Sequence, residues 1–153
     1  MKNLFNVSLL CLIIFSLSCM NKPVSASASA TPDPVDIGGK TWKLTELYGQ
    51  PIQLKDPKRN PYLTLNMSDM RYEGNGGCNG LSGTFEIKPD LMRIKFNPGI
   101  STMMACDDLD IEKQFTKALL ATDNYSVKGN ILTLNRARMA PLAKFVLQNQ
   151  DSK

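Results

Sequence analysis

The chain has 153 residues, 42% of them hydrophobic and 21% charged, with a formal net charge of +4 and no histidine. That length suits one domain around one core, and the small, scattered surplus of positive charge excludes an extended nucleic-acid surface. Without histidine, Ser-His-Asp and Cys-His catalysis are excluded, and the commonest metal-binding side chain is missing.

The chain opens on a processing segment. Lys2 supplies a positive start, and Leu4 to Leu17 form an apolar stretch, interrupted by Asn6, Ser8 and Ser16, that is too short to span a bilayer as a helix. These features predict a signal peptide over residues 1–18 and an exported chain. Ser16-Leu17-Ser18-Cys19 resembles a bacterial lipobox, which makes Cys19 the lipid anchor; Ser16 departs from the usual aliphatic residue. The competing cleavage site lies among the Ala-x-Ala repeats of Ser25 to Ala30, an awkward distance beyond the apolar run. Residues 19–36, rich in Ser, Ala and Pro, bury too little apolar surface to fold and read as a lipidated, flexible tether. The expected location is the bacterial cell envelope, as a lipoprotein of the outer or inner membrane facing the periplasm or the cell surface. A folded domain is expected over 37–148 and a disordered tail over 149–153.

Within the domain, Thr41 to Tyr48 reads as a strand with Trp42, Leu44 and Tyr48 on one face, ended by Gly49-Gln50-Pro51. Tyr62 to Met67 alternates again through Leu63, Leu65 and Met67, and Met70 and Tyr72 lead into a glycine cluster. Leu81 to Ile87 and the run Met92, Ile94, Phe96 continue at period two, separated by the turn chemistry of Lys88-Pro89-Asp90. One helix is predicted: Ile111, Phe115, Ala118 and Leu119 form an apolar stripe with Lys113 and Lys117 opposite. Asp107 or Asp108 is the expected N-cap, Asp110 and Glu112 suit the positive end of the helix dipole, and the helix ends near Thr122. Tyr125 to Lys128 and Ile131 to Leu134 flank Gly129-Asn130, a two-residue hairpin signal, and Leu142 to Leu147 is a last strand. The expected fold is α+β: a strongly curved antiparallel sheet or incomplete β-barrel with one covering helix.

Two cysteine motifs stand out: Gly76-Gly77-Cys78-Asn79-Gly80 with Gly83, and Thr102-Met103-Met104-Ala105-Cys106. Three readings of Cys78 and Cys106 stand open: a structural disulfide, two buried free thiols, or a redox or metal pair. Export favours the disulfide, and the wide spacing disfavours a Cys-x-x-Cys type of centre. The glycines allow a tight reversal at Cys78, Gly83 allows a close contact or bulge, and Asn79 suits a turn with positive φ or a bond to its own backbone.

These motifs, with the acidic helix start and Phe115, resemble the META domain family, that of the heat-shock lipoprotein HslJ. Trp42-Lys43-Leu44, Gly49-Gln50-Pro51, Tyr125-Ser126-Val127 and Leu132-Thr133-Leu134 fit the same pattern, over about residues 37–147. The family motif then falls on Gly77, Cys78, Asn79, Gly83, Thr102, Met104, Ala105 and Cys106. The resemblance implies a small α+β domain with a barrel-like sheet, carried by envelope lipoproteins associated with heat stress, antibiotic tolerance and virulence, and a likeness to a lipid-binding pilotin of type III secretion. It brings no catalytic residue.

Other chemistry is thin. No phosphate loop or dinucleotide fingerprint occurs. The acids Asp107, Asp108, Asp110 and Glu112 could serve a hydrolase or a calcium site, but a helix start prefers the same residues, and the spacing of an EF-hand loop is missing. Met103, Met104 and Cys106 could form a Cu(I) site only with a reduced Cys106. The expectation is a non-enzymatic, monomeric, stress-related module with no cofactor, no metal and no nucleic-acid partner. It is attached to the membrane by its lipid and binds an envelope protein or an apolar ligand in the mouth of its sheet. The alternatives are a purely structural stability factor or an enzyme using the Asp107–Glu112 cluster.

Overall fold

A computed structural model describes residues 36–56, 58–137 and 140–148. The expectations placed on the signal peptide, Cys19, the tether up to residue 35, and residues 149–153 lie outside the described residues, as do Arg138 and Met139. The elements in chain order are β1 (Thr41–Leu47), β2 (Gln50–Pro51), β3 (Tyr62–Asn66), β4 (Arg71–Asn75), β5 (Gly80–Lys88), a 3-10 turn (Pro89–Leu91), β6 (Arg93–Phe96), β7 (Ile100–Ser101), α1 (Leu109–Ala121), β8 (Asn124–Lys128), β9 (Ile131–Asn135) and β10 (Ala143–Leu147). The strands form one sheet in the order β6-β5-β4-β3-β1-β10-β9-β8, with β2 added to β1 and β7 to β5. Every pairing is antiparallel. The sheet curls until its two ends, β6 and β8, come together, and a backbone bond crosses that seam, from Tyr125 N–H to the carbonyl of Met92 at 3.0 Å. Among the described residues, the result is a nearly closed barrel with one seam and one helix.

Alternation along the strands decides which side chains enter the barrel. Leu63 and Leu65, Phe85, Ile94 and Phe96, Leu132 and Leu134, and Ala143 and Phe145 all point inward and are buried. Trp42 joins them and donates its indole N–H to the carbonyl of Ile37 at 3.0 Å, so its one polar atom is satisfied inside. Helix α1 lays the expected stripe onto this core: Phe115, Ala118 and Leu119 are buried, Ile111 is half-buried, and the Phe115 ring stands 5.8 Å from that of Phe145. At its end the helix closes on Thr122, whose N–H bonds to the carbonyl of Leu119 and whose hydroxyl donates to that of Ala118 at 2.8 Å. Among the described residues, buried side chains pack the interior of the sheet as one core.

Three local expectations change, and one short strand is added. Tyr48 does not share the face of Trp42 and Leu44, because the register of β1 against β10 shifts between Leu44 and Glu46. This bulge turns Leu47 inward and leaves Tyr48 exposed at φ 50°. Gln50 and Pro51 do not simply stop β1: they fold back and pair with Leu47 and Glu46, on an outer edge where a proline is tolerated. Met92 is not a strand residue; it leaves the 3-10 turn at φ 51° and offers its carbonyl to the seam. Ile100–Ser101, unassigned from sequence, pairs with Ser82 and Leu81.

Candidate functional site

The two cysteine motifs meet. Cys78 and Cys106 are disulfide-bonded, with their Cα atoms 6.0 Å apart. The bridge ties the turn before β5 to the loop that enters α1. Asn79, fully buried, occupies the centre of this junction. Its amide nitrogen donates to the carbonyl of Met104 (3.1 Å) and to Glu112 Oε1 (3.1 Å). Its Oδ1 accepts from the Thr102 hydroxyl (2.8 Å) and from Met104 N–H (2.7 Å), while its own backbone N–H donates to Glu112 Oε2 at 2.7 Å. All four hydrogen-bonding positions of the side-chain amide are thereby used. Asn79 is therefore neither a positive-φ residue nor bonded to its own backbone, as the sequence suggested. The left-handed conformation belongs to Gly77, at φ 106°.

Glu112 stands in the first turn of α1, where the sequence placed it for the helix dipole. It is also buried, with a carboxylate satisfied by Asn79 in place of a cation. Gly76 makes room for it: a Cβ there would stand 2.4 Å from Glu112 Cγ. Asp108 does occupy the N-cap position, but its side chain does not cap the helix. Its oxygens accept the backbone N–H groups of Lys55 (3.0 Å) and Asp56 (3.3 Å), so it holds the loop between β2 and β3. Asp107 is exposed, and Asp110 faces solvent in a 3.7 Å pair with Lys113. The four acids thus point to different tasks: Asp107 and Asp108 border one pocket with Lys55, Asp56 and Arg59, Asp110 faces solvent, and Glu112 meets Asn79. The disulfide also takes Cys106 out of any thiolate–methionine copper centre.

Gly83 lies apart from the junction. It faces the ring of Tyr72, where an added Cβ would stand 2.6 Å from the phenol oxygen, and Tyr72 donates that hydroxyl to the carbonyl of Asn97 at 3.1 Å. Burial raises the Tyr72 phenol above its ordinary value of 10.0. The close contact that the sequence allowed at Gly83 is thus made with Tyr72, on the neighbouring strand β4. Ala105 is exposed beside Cys106.

The junction presents a loop. Between β7 and Cys106 the backbone is fixed by Asn79 and by the bond from Thr102 N–H to the carbonyl of Gly80 at 3.1 Å. Its apolar side chains nevertheless face solvent: Ile100 is 76%, Met104 56% and Met103 99% exposed. Sequence reasoning missed both this exposure and the bond between Asn79 and Glu112. Periodicity gave no warning: Ile100, Met103 and Met104 fall at i, i+3 and i+4, a spacing that reads as a buried helical stripe rather than as an exposed loop.

A family model described as META domain matches residues 35–149. The chain belongs to the META domain family. Three solved structures share the fold seen in this chain. An NMR structure is 19% identical with a TM-score of 0.58, covering 75% of this chain and 94% of its own. A second NMR structure, of a protein from Burkholderia xenovorans, is 20% identical with a TM-score of 0.60, covering 77% and 90%. A crystal structure at 1.00 Å of a DUF4847 family protein from Bacteroides vulgatus is 16% identical with a TM-score of 0.57, covering 75% and 96%. At these identities the likeness of the META domain to them is one of fold alone. No curated protein matches the chain.

Proposed function

We propose that the chain is a non-enzymatic, stress-related envelope lipoprotein, anchored through Cys19, whose META domain docks a partner protein through the loop Ile100–Met104. One observation carries this reading: Met103, the most exposed methionine among the described residues, stands on a loop whose backbone is held by a buried amide and a disulfide. A folded chain gains nothing by itself from holding apolar side chains in water. A partner gains from finding them already in place, because less conformational freedom is lost on binding. Methionine also adapts its shape to an apolar surface. The packed interior argues for this surface over an apolar ligand inside the sheet.

The packed interior also supports a second reading, a purely structural envelope factor with no binding surface. A photoreactive side chain at position 103 of the full chain, in the cell, separates the two. Docking predicts a discrete adduct from position 103 and none from a control at Lys128. Burying one methionine is worth roughly 1.5–3 kcal/mol, so Met104→Ser should weaken that adduct by about tenfold or more. Equal, diffuse labelling from both positions would leave the structural reading standing.

A further inference from the structure

The hairpin of β5 and β6 and the C-terminal end of α1 enclose a groove of about 710 Å³, a size typical of small-molecule sites. Apolar side chains line it: Ile94 and Ile87 from the strands, Leu91 from the 3-10 turn and Leu120 from the helix. Leu91 is 66% and Leu120 43% exposed, so these two face water, while Ile94 belongs to the buried core.

Four cations, Lys88, Arg93, Lys95 and Arg136, stand around it with two acids, Glu86 and Asp123. The acids do not balance them. Glu86 lies directly opposite Lys95 in the strand register, whereas Lys88 lies directly opposite Arg93, and like charges in that position repel. The Asp123 carboxylate accepts the backbone N–H of Ala137 at 2.8 Å and the amide of Asn124 at 2.6 Å. Those bonds, and then the fields of Arg93 and Arg136, hold its pKa below the usual carboxylate value. Among the described residues, none of the four cations has a carboxylate within 4.0 Å. Lys88, Arg93 and Arg136 share the single Asp123 carboxylate and therefore leave a net positive charge at the edge of an apolar lining.

We propose that this groove binds an amphipathic anion: a carboxylate or phosphate head among Lys88, Arg93 and Arg136, and an apolar tail along Leu91 and Leu120. The site is separate from the docking loop. A helical peptide fits it poorly, since two turns of a helix about 10 Å across occupy roughly 850 Å³. The guanidinium groups suit an oxyanion because each can offer two parallel N–H donors.

The test is titration of the isotope-labelled full chain, followed by amide shifts, with dodecanoate, dodecyl phosphate, dodecanol and inorganic phosphate as probes. Saturable shifts confined to 86–95, 120–123 and 136 are expected with both acids. Dodecanol and phosphate alone should bind at least about tenfold more weakly, each lacking one half of the recognition. The exposed changes Arg93→Gln with Arg136→Gln, and separately Leu120→Asn, should each weaken dodecanoate by roughly tenfold while leaving the remaining amide spectrum in place. Met103→Ser should have no effect, which keeps this site distinct from the docking loop. The assignment is overturned if dodecanol binds as well as dodecanoate, or if the charge variants bind normally. It is also overturned by binding to phosphatidylglycerol vesicles without binding to the monomeric acids, or by an acidic Leu/Glu peptide that binds more tightly than either acid.

Discussion

Replacing Asn79 with alanine should cost the domain about 3 kcal/mol. The side chain gives two hydrogen bonds and accepts two. The bond to Glu112 is to a buried charged group, worth roughly 1.5–3 kcal/mol, and each neutral one is worth about 1 kcal/mol net. Thr102 and Met104 lie on an exposed loop, where water recovers part of their loss, which brings the sum back to about 3 kcal/mol. For a domain of this size the melting temperature should fall by roughly 10–15 °C. Urea denaturation with the bridge intact measures it, and a loss below about 1 kcal/mol with an unchanged m-value would refute the central role given to this amide. Asn79→Asp adds a sharper test, because it sets a second carboxylate against that of Glu112. Sharing a proton raises the pair's folded pKa above its unfolded value. The variant's stability should therefore recover at acidic pH and be lost as pH rises through the folded value. An equal deficit at both ends of that range would contradict the geometry.

The bridge closes a separation of 28 residues, and replacing both Cys78 and Cys106 with alanine should cost about 3–4 kcal/mol in the chain-entropy model, measured by the same denaturation. Gly76→Ala should cost roughly 1–3 kcal/mol because its Cβ meets Glu112 Cγ at 2.4 Å. Gly80→Ala, whose nearest atom would be 3.9 Å away, should be tolerated far better in a thermal melt. Asp123 should titrate by NMR below the ordinary 3.8, so its contribution to stability is present above that value and is lost as pH falls through the lower folded midpoint; Asp123→Asn should abolish that acid-side dependence.

The strands and the helix were legible because each buries one face. Leu63 and Leu65, Ile94 and Phe96, and the stripe from Ile111 to Leu119 mark period two or period 3.6 in the sequence, and the core follows them. The sequence reading failed where one residue changes the phase or serves a distant partner. The bulge after Leu44 reverses the facing of Leu47 and Tyr48 with no signal in local composition. Asn79 and Glu112 are 33 positions apart, and no local rule pairs a turn amide with a helix carboxylate. Asp108 sits where an N-cap should, yet its carboxylate holds a loop more than fifty positions earlier. The cationic groove was hidden for the same reason: Arg93 starts the strand at one end of the sheet path, and Arg136 follows β9, next to the strand at the other end.

The pairing of β1 with β10 sets a limit on when this domain can fold. Trp42 lies opposite Leu147, and Thr45 bonds across to Lys144 from 99 positions away. The first strand to leave the ribosome has to wait for the last one before both of its edges are occupied. A partly made chain therefore holds Trp42 and Leu44 without their final neighbours, and closure of so distant a pair is slow. For as long as synthesis is incomplete, the chain lacks this closing pair. It also stays exposed enough to need protection from its own apolar strands.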